Sequence, residues 1–396
     1  SYRKKWGSMQ EGPLHTKKVF GPEVFIFLAL LVGFFGLFAR TMGMINMLST
    51  MMQTSFVLLT DTVLYITAIA VVAGGLSGLL QEFGVIALVD RCLSLLMEPL
   101  FGLPGAASIG AMTTYLSDNP SILALAADAR YRRYFKKYQL PALTNLGTGF
   151  GMGAIITTFV LGLSALDGRS YALPALIGNI GAVIGSLVST RLMLIFTARA
   201  FGKTAPAEET DGAALPKNER MVHAGSVGSR FLSSMLEGGK SGIQVGIDII
   251  PGVLIICTFV MMLTNGPSSS GAYTGAAFEG IGLLPRIGDK LAFIIKPLFG
   301  LQSAEGIAVP ITALGSSGAA LSVIKSLLAR GLATPHDVAV FTAMCMCWSG
   351  YLSTHVAMMS SLKCSFLTGK AIFSHTVGGL CAGIATHLIG LAMGIV

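Results

Sequence analysis

Ser117-Asp118-Asn119-Pro120 sets a hydroxyl, a carboxylate and an amide before a helix-breaking proline, between two short, largely apolar segments. A charge held in hydrocarbon is costly, so such an acid faces a cavity, a partner or a substrate. The plainer alternative is that Asp118 caps the helix beginning at Pro120. Gly315-Ser316-Ser317-Gly318 offers hydroxyls without a charge. Between Thr144 and Gly153, Asn145 and Thr148 stand among four glycines, a run of low helical propensity whose unwound carbonyls would suit a cation or a polar solute. Close helix packing by glycine is the alternative. The run from Thr342 to Gly350 holds Trp348, able to stack on a ring or to anchor at an interface, and Ser349, able to hydrogen-bond a solute. Asp61 and Asp248 are single acids in apolar spans, open to two readings: sodium or proton coupling, or a helix-packing hydrogen bond.

Soft metal ligands are present in Cys345, Cys347, His355, Cys364, His375, Cys381 and His387, with 19 methionines. Cys345 and Cys347 would point apart on a regular helix, however, and no Cys-x-x-Cys or His-x-x-x-His occurs. Methionine is also an ordinary apolar filler of membrane helices. His355 with Ser353 or Ser360 is a pairing any serine-rich helix offers, so the expectation is no enzyme, no metal and no resident cofactor. The six cysteines have no framework spacing and read as free thiols.

These residues must be positioned by membrane helices. Hydrophobic residues make up 53% of the 396 and charged residues only 12%, against about a quarter charged in soluble domains. Apolar blocks at 23–38, 55–80, 172–198, 243–264 and 371–396 approach or exceed the roughly 20 residues that cross a bilayer. The 49 glycines fit backbone-close packing of membrane helices. The net charge of +8 lies in loops between spans, which argues for topology and against a nucleic-acid partner. Arg3, Lys4, Lys5, Lys17 and Lys18 precede the first span, predicting a cytoplasmic N-terminus and a retained anchor at 23–38.

An internal repeat organises the chain. PLFGLPGAASIGAMTTYL at 99–116 aligns without a gap to PLFGLQSAEGIAVPITAL at 297–314, with nine of eighteen positions identical at a shift of 198. Thr144 matches Thr342 at the same shift. Each matched block continues into segments too short to cross, turning at Ser117–Pro120 and at Gly315–Gly318, so each is expected to be a re-entrant helical hairpin. With three crossings per repeat, the second half starts from the opposite side, giving inverted repeats. The expected architecture is all-α integral membrane, about seven transmembrane helices plus two re-entrant hairpins. Its parts are a basic segment and anchor at 1–54, a first repeat at 55–198, a cytoplasmic linker at 199–239 and a second repeat at 240–396.

This layout resembles the nucleoside-recognition or Gate domain family, found in concentrative nucleoside transporters, in the membrane part of ferrous-iron transporter B and in spore-maturation membrane proteins. Leu116-Ser117-Asp118-Asn119-Pro120 occupies the place of the Gln-Thr-Glu-Ala-Pro run at the nucleoside transporters' first hairpin tip, agreeing in residue type and position without matching the motif. The iron transporter's Gly-Cys-Asn-Val-Pro signature is absent. The resemblance implies a secondary transporter of a small polar, nucleoside-like solute, in the cytoplasmic inner membrane and coupled to sodium or protons. A divalent-metal permease and a non-transporting membrane factor are the alternatives. Partners are then the lipid bilayer and the solute, with a homo-oligomer allowed.

Overall fold

The computed structural model describes residues 19–117, 134–164, 168–207, 222–268, 270–349 and 351–395, together with Ile122, Ala126 and Arg132. The described residues are almost entirely helical and form no β-sheet. Among the described residues five helices are long and apolar enough to cross a membrane: α1 (Pro22–Met42), α2 (Met44–Glu82), α5 (Ala142–Gly162), α6 (Ala172–Phe201) and α13, whose apolar stretch runs Ser365–Ala392. Numbering between and beyond these runs α3 (Val85–Leu96), α4 (Ala107–Leu116), α7 (Val227–Pro251, continued by Gly252–Cys257 and Thr258–Thr264), α8 (Leu283–Phe299), α9 (Ala308–Gly315), α10 (Ser317–Ala329), α11 (Pro335–Cys347) and α12 (Tyr351–Ser361). Large apolar side chains such as Phe25, Leu30, Val72, Leu76 and Phe293 point outward, as a lipid-facing surface requires.

Two antiparallel helix pairs build the frame. Along α2 and α7, Ala70, Gly74 and Gly78 face Gly242, Gly238 and Ser234, so small residues at four-residue spacing let the backbones touch. Ser55 and Thr258 join their hydroxyls at 3.0 Å near the other end of the same seam. The second pair is α6 with α13, where Gly181 meets Thr386 and Gly185 meets Ala382 and Gly378. The broken helices α5 and α11–α12 and the α9–α10 hairpin fill the space between these pairs, and the main apolar core lies there.

The 198-residue shift seen in the sequence recurs in the backbone. Gly84 and Gly282 both hold left-handed φ values, 81° and 62°, and each starts an amphipathic helix, α3 or α8. Gly102 and Gly300, at 72° and 65°, end the stretches that follow. Thr114 and Thr312 are both buried and donate to the carbonyl four residues back. The α9 and α10 arms, of 8 and 13 residues, are about 12 and 20 Å long. Neither arm alone spans the roughly 30 Å hydrocarbon core.

Two helices begin earlier than the apolar blocks that mark them. The second span begins at Met44 rather than 55, because α2 carries its helix through a π-turn at Leu58–Val63. The apolar block at 243–264 lies within a longer helix, α7, which begins at Val227; Glu237 and Lys240 make the earlier stretch less apolar without breaking the helix. Among the described residues the helices that qualify as spans by length and apolarity number five, or six if α8 and Ala304–Leu314, bent by 77°, are counted as one. The helix over 242–264 continues through a π-turn at Gly252–Cys257, and the span after the second hairpin turns at Trp348–Ser349.

Where the chain re-enters the bundle after the linker, His223 ties it to the α2–α7 pair. Nδ1 lies 2.8 Å from Glu82 and Nε2 3.0 Å from Glu237, while Arg230 Nε donates to Glu82 at 2.6 Å. Only the protonated ring can donate from both nitrogens. The hydrogen bonds to Glu82 and then Glu237 raise the His223 pKa above its ordinary value. The contact should therefore be complete below about pH 6.5, the unfolded pKa, and be lost as pH rises through the raised folded value. Hydrogen exchange of amides 222–230 should show protection falling with rising pH, and His223→Gln should remove that dependence. Protection independent of pH in the parent would refute it.

Candidate functional site

Both expected broken spans are broken. In α5 the helix stops at Thr148 and resumes at Gly153, with Met152 held at φ 56°. In the second half α11 stops at Cys347 and α12 starts at Tyr351. The breaks meet: Cys347 Sγ lies 3.9 Å from the Gly149 carbonyl and 3.5 Å from that of Ala182. Gly149 and Cys347 are themselves 198 apart, so equivalent points of the two repeats touch one another.

The second hairpin tip reaches this junction. Ser316 is extended and caps α10 by accepting from the Ala319 amide at 3.2 Å. Ser317 is buried and donates to the Cys345 carbonyl at 2.6 Å, joining the tip to the last turn of α11. From the first half, α4 ends at Leu116, and the hydroxyl of Ser117 just beyond it donates to the Thr113 carbonyl at 2.7 Å. Asp118 and Asn119 lie outside the described residues.

Around the breaks is a buried polar network. Asn145 Nδ2 donates to the Ala371 carbonyl and to Ser189 Oγ, both at 2.9 Å. A carbonyl can accept but not donate, so the Ala371 bond fixes which end of the amide is nitrogen. Asn145 Oδ1 then has no hydrogen-bond partner, although the residue is fully buried. Ser189 also contacts His375 Nδ1 at 3.0 Å, and Thr148 Oγ1 approaches the same nitrogen at 3.4 Å. His375 Nε2 bonds the Cys347 carbonyl, so its proton sits on Nε2 and Nδ1 accepts. The His355 ring lies 4.8 Å from that of His375; its Nδ1 bonds the Tyr351 carbonyl, and its Nε2 has no partner.

Trp348 is only 5% exposed and donates through Nε1 to the His375 carbonyl at 3.4 Å. A residue so enclosed is no interfacial anchor, which removes one of the two readings. Tyr351 stands edge-on to it at 6.3 Å, and Ser349 is buried beside them. Asn145, Thr148, Ser317, Trp348 and Ser349 thus gather around one junction. Asp61 does not: it is exposed on the π-turn of α2 and accepts from its neighbour Thr60 at 2.9 Å. The Asp248 side chain lies outside the described ones.

Sequence reasoning weighed His375 only as a metal ligand and His355 as a metal ligand or a partner of Ser353 or Ser360, and did not single out Ser189 or Tyr351. Ser186, Ser189 and Thr190 share one face of α6 at helical spacing, a signal a single-helix reading could have used. Among the described residues no three His, Cys, Asp or Glu side chains are grouped to hold a metal ion. Bare acceptors in an otherwise satisfied network can take a hydrogen-bond donor or a cation.

No family model and no curated protein matches the chain. Solved structures do. Two substituted forms of CNTnw in an outward-facing state align with TM-scores of 0.51 and 0.53 at 13% and 16% identity, covering 84% and 83% of this chain and 76% of theirs. CNTnw in an inward-facing substrate-bound state aligns with a TM-score of 0.53 at 14% identity, over 82% of this chain and 75% of that one. With its apolar spans and this likeness, the chain is an all-helical, multi-pass membrane protein with the fold of a concentrative nucleoside transporter.

Proposed function

We propose that this protein is a secondary transporter that moves a small polar solute by alternating access. The observation that carries the proposal is the meeting of two broken helices and a hairpin tip around buried acceptors that have no partner in the protein. Irregular backbone at membrane depth is tolerated where it lines a cavity or is enclosed by protein, and binding sites of secondary transporters are built this way. Antiparallel pairing of α2 with α7 and of α6 with α13, with backbone features repeating every 198 residues, supports inverted repeats. The likeness to CNTnw in outward- and inward-facing states supports two alternating conformations.

A solute with a flat ring and several donors suits Trp348, Tyr351 and the bare oxygen of Asn145, which puts nucleoside-like molecules first. Sodium or a proton is the proposed coupling ion. Asp118 and Asn119 remain proposed solute contacts, with Ser117, Ser316 and Ser317 at the hairpin ends. The proposed setting is the inner membrane with a cytoplasmic N-terminus.

The test is a thermal-stability screen of purified protein against nucleosides, amino acids, divalent cations and sodium, followed by uptake into proteoliposomes. A nucleoside should raise Tm, and uptake should need an imposed sodium or proton gradient. Divalent cations as the sole stabilising class, or no uptake of any stabilising solute, would overturn the reading.

A further inference from the structure

Away from the helix breaks, at the C-terminal end of α6, lies a cavity of about 860 Å³. Arg191, Arg199, Lys203 and Lys136 line it, against a single carboxylate, Glu98. Its apolar wall is Leu194, Ile195 and Ala198, on the same face of α6 as the two arginines. The eight helical steps from Arg191 to Arg199 cover about 12 Å along the helix. The cavity therefore runs along one face of α6, with exposed cations at both ends, Arg191 and Arg199, and apolar side chains between them.

Its walls are fixed. Arg191 Nε donates to the Leu100 carbonyl at 2.6 Å and its Nη2 bonds that of Pro99, leaving further N–H donors of the guanidinium unused by these bonds. Gly102, at φ 72°, makes room for it: a Cβ there would fall 2.9 Å from Arg191 Nη1. Opposite, the 134–139 loop is held by Lys137 N to the Ala205 carbonyl at 2.8 Å and by Gln139 to the Gly102 carbonyl at 3.0 Å. The repeated scaffold does not demand these charges, since at the shift of 198 Arg191 corresponds to Ile389 and Lys136 to Thr334.

We propose that this cavity binds a phosphate group, with Arg191 at one end and Arg199 and Lys203 at the other. Guanidinium groups recognise phosphate oxygens in pairs, and basic pockets between membrane helices hold lipid headgroups. The apolar wall between the cations favours the phosphate of an anionic phospholipid, with an acyl chain along Leu194 and Ile195. Inorganic phosphate shares the chemistry without the chain.

Native mass spectrometry of the purified full chain with phosphatidylglycerol, phosphatidylcholine or inorganic phosphate distinguishes these sources. Phosphatidylglycerol should bind at least tenfold more tightly than phosphatidylcholine and weaken as salt is raised. The double variant Arg199→Gln, Lys203→Gln changes only exposed side chains, so it should fold as the parent while losing that preference. Inorganic phosphate competing at comparable concentration would support the phosphate site and assign it to a soluble anion. Equal binding of the two lipids with no competition by phosphate, or an undiminished preference in the folded double variant, would overturn the proposal.

Discussion

Replacing Gly242 by leucine should abolish the folded bundle, with destabilisation of more than about 4 kcal/mol, at the extreme of single substitutions. A Cβ at Gly242 would sit 2.2 Å from the Ala70 carbonyl oxygen and 2.4 Å from its carbon. These are backbone atoms in the middle of α2, so no side-chain rotation relieves the clash and the two helices must part. Gly238 and Gly74 block each other in the same way, at 2.1 and 2.3 Å. Separation would open the small-residue seam along its whole length, losing the packing that holds membrane helices together. Gly33 is the control, because it is also helical but has nothing within 4 Å of its would-be Cβ. Gly33→Leu should leave Tm and the gel-filtration profile near those of the parent. Monodisperse Gly242→Leu protein with an unchanged Tm would show that α2 and α7 are not packed as described.

The second large effect is expected at Asn145. Asn145→Ala removes the donor that serves Ser189 and Ala371 and the bare oxygen as well. Leaving buried acceptors unpaired costs about 1–3 kcal/mol, so Tm should fall moderately. If the bare oxygen contacts solute or coupling ion, solute-dependent stabilisation and uptake should fall by about tenfold or more, equivalent to about 1.4 kcal/mol. Ser189→Ala separates the two roles, since it removes the 2.9 Å partner of Asn145 but leaves the bare oxygen in place. It should lower Tm while keeping most of the solute response. Asn145→Ala with parental uptake would take this residue out of the site, leaving His355 Nε2 as the network's remaining bare acceptor.

Composition and repetition settled the class of this protein before any coordinate. A chain with so few charges and so many long apolar blocks has no way to cover itself for water, and a gapless 18-residue match at a shift of 198 implies two copies of one unit. Local chemistry also located the breaks, because glycine-rich runs and the serine pair at 316–317 are poor helix continuations wherever they occur. Helix ends were less legible. The apolar run marks what lipid tolerates, while backbone hydrogen bonding carries α2 back to Met44 and α7 back to Val227 through residues that are merely compatible with a helix.

The composition of the site was a tertiary matter. Asp61 and Asn145 look alike in sequence, each a polar residue among apolar ones. The rotation of α2 turns Asp61 outward, and the packing of α5 against α6 and α13 encloses Asn145 completely. His375 and Ser189 are 186 residues apart; no local pattern links them, because their contact depends on the register in which α6 lies against α13. That register is set by where Gly181 and Gly185 meet Thr386 and Ala382. Sequence determined which residues are polar and where helices must fail, since those are properties of the residues themselves. Which of them share a cavity was decided by helix rotation and register, which follow from the mutual fit of surfaces far apart in the chain.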